Sequence, residues 1–251
     1  MTPRELAAAF GASLLAAAGA AKAQTPGAAP NLAAPFGAPV EDRRIYWHGL
    51  LDQFEGRIGG ENSFRWDGQA WAGTDTNRLW FKSEGTVGSN GRVGDGIHEA
   101  LYDRPISTYF DLQGGIRYDL DSGPSRGWAA FGIQGLAPQF FDVEATAYAS
   151  DSGHFAARLK GSYDLLLTQR LVLQPEIEAN FYTKSQPGRG IGPGLSDLDT
   201  GLRLRYEITR KFAPYIGVVL EDKFGGTAAF ARREGESAND VRFVFGVRSW
   251  F

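Results

Sequence analysis

Asp197-Leu198-Asp199-Thr200-Gly201-Leu202-Arg203-Leu204-Arg205-Tyr206-Glu207-Ile208 alternates with period two along its whole length. Leu198, Thr200, Leu202, Leu204, Tyr206 and Ile208 fall on one face, and Asp197, Asp199, Gly201, Arg203, Arg205 and Glu207 on the other. Successive side chains of a strand point to opposite sides, so this strand is apolar on one side and charged on the other. An ordinary globular strand has about 5–6 residues, whereas a tilted strand crossing a bilayer needs about 9–11, which this run satisfies. Lipid against the apolar face and water enclosed by a sheet against the charged face account for both halves of the pattern.

The same texture recurs on either side. Phe141, Val143, Ala145, Ala147 and Ala149 alternate with Asp142, Glu144, Thr146 and Tyr148; Leu171, Leu173, Ile177, Ala179 and Phe181 alternate with Gln174, Glu176, Glu178, Asn180 and Tyr182. At the end, Val241, Phe243, Phe245, Val247 and Phe251 share a face opposite Arg242, Gly246, Arg248 and Trp250, and a terminal aromatic resembles the insertion signal of bacterial outer-membrane barrels. Extending this reading gives about twelve strands, at 46–58, 62–73, 77–88, 97–104, 107–120, 127–137, 140–150, 154–166, 170–183, 195–209, 212–223 and 240–251. The fold class is therefore all-β: a transmembrane antiparallel up-and-down barrel.

Loop lengths test this count. Long connections at 89–96, 184–194 and 224–239 fall on one side, and short turns near Thr74-Asp75-Thr76, Pro105-Ile106, Pro138-Gln139, Gln169 and Arg210-Lys211 fall on the other, as short periplasmic turns require. Pro105, Pro138 and Pro214 sit near those turns, while Pro175 lies inside a strand, where a bulge is expected. A soluble antiparallel barrel or sandwich also alternates. Against it stand the strand length, the loop parity and aromatics near strand ends, among them Tyr46, Trp47, Tyr109, Phe140, Tyr182, Phe212 and Trp250.

Composition narrows the chemistry. The chain has 251 residues, no cysteine and a single methionine, Met1, so thiolate chemistry is absent and thioether ligation is absent from any chain lacking its start. A formal net charge of −3 argues against a phosphate-driven nucleic-acid binder, and no partner of that class is expected. Arg4, a weakly apolar run to Ala21 and Ala21-Lys22-Ala23 read as an export signal over 1–23. Residues 24–45 carry Pro26, Pro30, Pro35 and Pro39 among alanines and read as an extended linker before a barrel domain at 46–251.

If lipid lies outside, the polar faces line a lumen holding Glu144, Arg158, Lys160, Glu176, Glu178, Asp197, Asp199, Arg203, Arg205 and Glu207. Arg158 and Lys160 lie between strands bearing Glu144 and Glu176/Glu178, which predicts a lattice of ion pairs; a row of carboxylates serving cations is the competing reading. Without sulfur, a transition metal must use imidazole and carboxylate, and the histidines are His48, His98 and His154. His98 with Glu99, Glu84 from the preceding strand, His48, and the lumen acids Glu144, Glu176 and Glu178 are the candidate metal ligands. Asp151-Ser152-Gly153-His154 contains the ingredients of nucleophilic catalysis but reads as an ordinary turn, and no enzyme is expected.

The runs LDQFE at 51–55, FRWDG at 64–68, NRLWFKSEG at 77–85 and RPISTYFDLQ at 104–113 resemble the copper resistance protein B family, as do 128–135, 143–148, 163–170, 194–205 and 212–217. The resemblance spans about Tyr46 to Phe251. It implies a barrel in the outer membrane of Gram-negative bacteria, in contact with outer-membrane lipid, that binds copper and works with a periplasmic multicopper oxidase or copper carrier. Members of the family often carry a Met- and His-rich segment before the barrel, whereas 24–45 has neither residue. Copper handling is therefore expected to rest on imidazole and carboxylate, which prefer Cu(II). Two functions follow: a barrel that sequesters or conducts copper, or a largely closed structural barrel that docks periplasmic copper-handling partners.

Overall fold

The structure, a computed structural model, describes residues 44–121 and 125–251. The expected signal and residues 24–43 of the expected linker lie outside the described residues. The strands are β1 (Tyr46–Ile58), β2 (Ser63–Gly73), β3 (Arg78–Gly88), β4 (Val93–Pro105), β5 (Phe110–Asp119), β6 (Arg126–Ala137), β7 (Phe141–Ser150), β8 (Phe155–Tyr163), β9 (Leu165–Leu166), β10 (Leu171–Tyr182), β11 (Gly194–Tyr206), β12 (Phe212–Lys223) and β13 (Asn239–Trp250). Each pairs antiparallel with its chain neighbour, β8 and β9 run on as one stave, and β13 pairs with β1, so the sheet closes into a 12-stave barrel.

Burial is inverted relative to a water-soluble core. Mid-strand Ile116, Phe131, Ile216 and Phe243 are each more than 60% exposed on the outer wall, whereas Glu55 and Asp103 are 0% exposed inside. This is the arrangement lipid demands: closure leaves no unpaired sheet edge, and the apolar wall faces hydrocarbon. Among the described residues no helix is long and apolar enough to cross a membrane.

The turns at 74–77, 106–109, 138–140, 167–170 and 207–211 share the end where β1 enters, and the long connections 183–193 and 224–238 lie at the opposite, outer end. The expected long loop at 89–96 is corrected. β3 and β4 extend to Gly88 and Val93, and a tight Asn90-Gly91 turn with Gly91 at φ 76° joins them. Thr86 and Val87 pair with Gly94 and Val93, so this glycine-rich stretch continues the ladder despite its weak alternation.

Pro175 is a second correction. It pairs with Leu202 in unbroken register, and the irregularity of β10 against β11 falls at Asn180/Phe181 instead. The missing proline donor is matched on the other side, where the β8–β9 stave is interrupted at Asp164 and resumes in the same register. Glu207 lies just beyond the end of β11, at the inner mouth, and pairs with Arg210 in the turn.

Irregular pairing redirects side chains. β1 bulges between Leu51 and Gln53, which lets Asp52 and Gln53 both turn inward: Asp52 receives Arg248 Nε at 2.6 Å, and Gln53 is 1% exposed. In the 224–238 connection, helix α1 (Gly225–Glu234) buries Thr227, Ala228 and Ala231 against the top of β11. Thr227 Oγ1 accepts from Gly192 N at 2.9 Å and bonds Ser196 Oγ at 2.9 Å. The backbones meet so closely there that a Cβ on Gly192 would stand 2.5 Å from Gly226 Cα.

Candidate functional site

The inward faces of β1–β4, β7, β8 and β10–β13 bring acids and bases to the middle of the lumen. Each such residue lies one position from an outward apolar neighbour, so the strand alternation itself supplies the charge. Arg158 on β8 contacts Glu84 on β3, and its Nη2 lies 3.6 Å from Glu99 on β4 and 3.5 Å from Glu144 on β7. Lys82 Nζ, on β3, donates to Glu144 at 2.8 Å. Tyr148, fully buried, donates to Glu99 Oε1 at 2.7 Å.

Neighbouring pairs such as Arg158 with Glu144 and Lys160 with Glu176 (3.9 Å) follow the sequence expectation. Other short contacts, however, run across the barrel. Lys160 Nζ on β8 donates to Asp67 on β2 at 2.6 Å, although these staves face each other across the ring. The gap left among Asp67, Lys82, Glu84, Glu99, Glu144, Arg158 and Lys160 is about 30 Å³, room for a few waters at most.

A second cluster joins β1, β10, β11 and β12. Arg203 donates through Nε and Nη2 to the two oxygens of Glu55, both at 3.0 Å, and through Nη1 to Glu176 at 3.3 Å. Tyr215 donates to Glu55 at 2.9 Å, and Gln53 Nε2 to Glu176 at 2.9 Å. These charges are desolvated, and removing one partner of such a pair costs about 3–5 kcal/mol because the other is left buried and uncompensated.

Charge is less balanced along one row of the wall. Cross-strand pairing places Glu178 opposite Asp199, Asp199 opposite Glu221 and Glu221 opposite Asp240, which puts four carboxylates on consecutive staves. Glu178 meets Arg65 at 3.6 Å, Glu221 meets Arg57 at 2.7 Å and Arg242 at 2.9 Å, and Asp240 meets Arg242 at 3.5 Å. The Asp199 side chain makes no hydrogen bond and no ion pair among the described residues, and Arg65 acts on it only at longer range. Like charges directly opposite are destabilising, and the three arginines offset that repulsion for the other members of the row.

The candidate ligands thus separate. Glu84, Glu99 and Glu144 converge on Arg158, Glu176 and Glu178 lie across from them on β10, and His48 and His98 are elsewhere. His98 pairs with Ser83 and Tyr118 on the outer wall, so it points away from Glu99, which is 3% exposed inside. His48 sits at the inner mouth, its ring 5.7 Å from Trp250 and 6.3 Å from Trp71. Among the described residues no three His, Asp or Glu side chains are grouped closely enough to hold a metal ion. Ser152 Oγ does meet His154 Nδ1 at 2.9 Å, but Asp151 takes its hydrogen bond from Ser150, so no third group orients the imidazole.

The reading from sequence missed Arg65, Asp67, Arg57, Glu55 and Glu221 as lumen groups. The β2 run Arg65, Asp67, Gln69 carries the same alternation and could have revealed two of them; the β1 bulge hides the rest of the pattern near Glu55.

Two solved porins share the fold: the NanC porin, with TM-score 0.52 and 12% identity, and the KdgM porin in complex with disordered oligogalacturonate, with TM-score 0.50 and 12% identity. Each alignment covers 81% of this chain and 99% of the porin. In sequence, the chain is 45% identical over 216 residues to copper resistance protein B of Escherichia coli, covering 86% of this chain and 73% of that protein. It is 44% identical, with the same coverage, to the copper resistance protein B homolog of Pseudomonas syringae pv. tomato. The family described as copper resistance protein B precursor matches residues 45–251. With a porin-like barrel, a charge-filled lumen and this match over every strand, the chain belongs to the copper resistance protein B family.

Proposed function

We propose that this chain is an outer-membrane copper-tolerance barrel that takes up Cu(II) from the outer side at its acidic row and retains it above a closed lumen, without catalysing a reaction. The observation that carries the reading is Asp199, a carboxylate without an ion pair inside a row of four acids. Carboxylate oxygen suits Cu(II) rather than Cu(I), and a field of several acids attracts a divalent cation without a preformed chelate. Glu178 and Glu221 flank Asp199 on the neighbouring staves and add to the negative field there, each keeping its own arginine. Glu84, Glu99, Glu144 and Glu176 would become ligands only after copper displaced Arg158, Lys82 or Arg203, so in this reading they keep the lumen shut. His48, at the mouth facing the periplasm, is the imidazole nearest a periplasmic oxidase or carrier.

The test is Cu(II) titration of the refolded full chain in detergent, read by electron paramagnetic resonance. Wild type and His98→Ala bind alike, and Asp199→Asn weakens binding at least tenfold; equal binding by Asp199→Asn overturns the assignment. A second reading, a closed barrel that docks copper-handling partners and binds no copper itself, draws on the lack of a grouped ligand set among the described residues. No copper signal from the wild type decides for it.

A further inference from the structure

A cleft of about 460 Å³ opens at the outer end, away from the acidic row, between the start of β6, the β7–β8 turn and the β10–β11 connection. Two guanidiniums, Arg126 and Arg189, and His154 share its lining with one carboxylate, Asp151, which is engaged by Ser150 Oγ at 3.2 Å. Arg189 is held by Asp121 through two contacts at 2.5 and 3.2 Å and lies 3.8 Å from Asp119. Arg126 has no carboxylate within ion-pair distance among the described residues: it donates to Gln186 Oε1 at 2.5 Å and lies 5.1 Å over the Trp128 ring. Gln186 is 6% exposed, and its Nε2 has no hydrogen-bond partner.

A buried donor without an acceptor is costly, and a guanidinium without an ion pair of its own favours an oxyanion. The remaining walls are small and hydroxylic, with Ser125, Ser152 and Ser185, and the volume falls in the range of small-molecule sites. We infer that this cleft binds a phosphorylated sugar, with Arg126 and Arg189 on the phosphate, the Gln186 amide supplying a further donor, and the serines facing sugar hydroxyls. A phosphate monoester offers three acceptor oxygens and nearly two negative charges near neutral pH, which suits the Arg126 fork and an amide, with Arg189 adding its charge from beside Asp121. Its source is either the headgroup of an outer-leaflet glycolipid, which these loops would meet at the membrane surface, or a free sugar phosphate.

The experiment uses the refolded full chain. Calorimetric titration with glucose 6-phosphate in nonionic detergent shows saturable binding, glucose alone shows none, and Arg126→Ala weakens the phosphate binding at least tenfold. Arg189→Ala, made in parallel, weakens it at least threefold, and heat-modifiable gel mobility verifies that each variant is folded. In nanodiscs, bisphosphorylated lipid A raises the unfolding midpoint of the wild type but not of Arg126→Ala if the source is the glycolipid. It leaves both unchanged if the source is soluble. Absence of binding to both ligands, or binding that survives both arginine substitutions in folded protein, overturns the inference. Copper binding is not an element of either arm, so this site and the acidic row stand or fall separately.

Discussion

Around Arg158, three carboxylates from β3, β4 and β7 converge on one guanidinium, whereas along Glu178, Asp199, Glu221 and Asp240 four carboxylates stand side by side on consecutive staves. Both regions are lumen wall, made by the same alternation. They differ in what faces them. Arg158 and Lys160 reach partners across the barrel, on β3 and β2, so their charges are neutralised by the opposite wall. The row's arginines, Arg57, Arg65 and Arg242, form ion pairs with its other three members and leave Asp199 without one of its own. In the proposed function the first arrangement keeps the lumen shut and the second offers a cation its place.

Substitutions sharpen this contrast, beginning with the largest effect. Arg158→Ala strands Glu84, Glu99 and Glu144 and should destabilise the barrel by about 3–5 kcal/mol in urea unfolding from lipid vesicles. If it costs under 1 kcal/mol, the lattice does not hold the barrel shut. Phe131→Arg, on the outer wall near mid-strand, should cost about 2–4 kcal/mol in the same assay, because it places a charge in hydrocarbon. A neutral result would mean that this wall does not face lipid. Asp199→Asn relieves like-charge crowding and should stabilise by up to about 1 kcal/mol while lowering copper affinity. Loss of stability in that variant would reveal a structural partner for the carboxylate. Ser152→Ala should change stability by about 0.5 kcal/mol or less and leave copper tolerance of cells intact, since the Ser152–His154 contact lies in a surface turn.

Much of this was legible in the alternation. The strands 46–58 and 212–223 coincide with β1 and β12, and the inward set Glu144, Arg158, Lys160, Glu176, Glu178 and Arg203 lies where period two puts it. Three things were not legible, for physical reasons. β4 begins in Val93-Gly94-Asp95-Gly96, where glycines carry no face, so its outer half read as a loop. Bulges shift parity without any sequence mark: Asp52 and Gln53 both face inward, although strict alternation forbids it. His98 beside Glu99 looked like a ligand pair, yet neighbours on a strand face opposite ways, and the same rule that found the barrel separates them. The cross-lumen contact of Lys160 with Asp67 could not be read locally either, since it joins staves that meet only after closure.

Conductance across a planar bilayer tests the central claim most directly. With the wild-type chain inserted, the lattice should pass no steady current, and the double variant Lys160→Ala/Asp67→Ala should open cation-selective steps, because it removes one of the contacts that span the lumen, between directly opposite staves. A steady cation current through the wild type, unchanged by that double variant, would contradict a lumen closed by its own ion pairs.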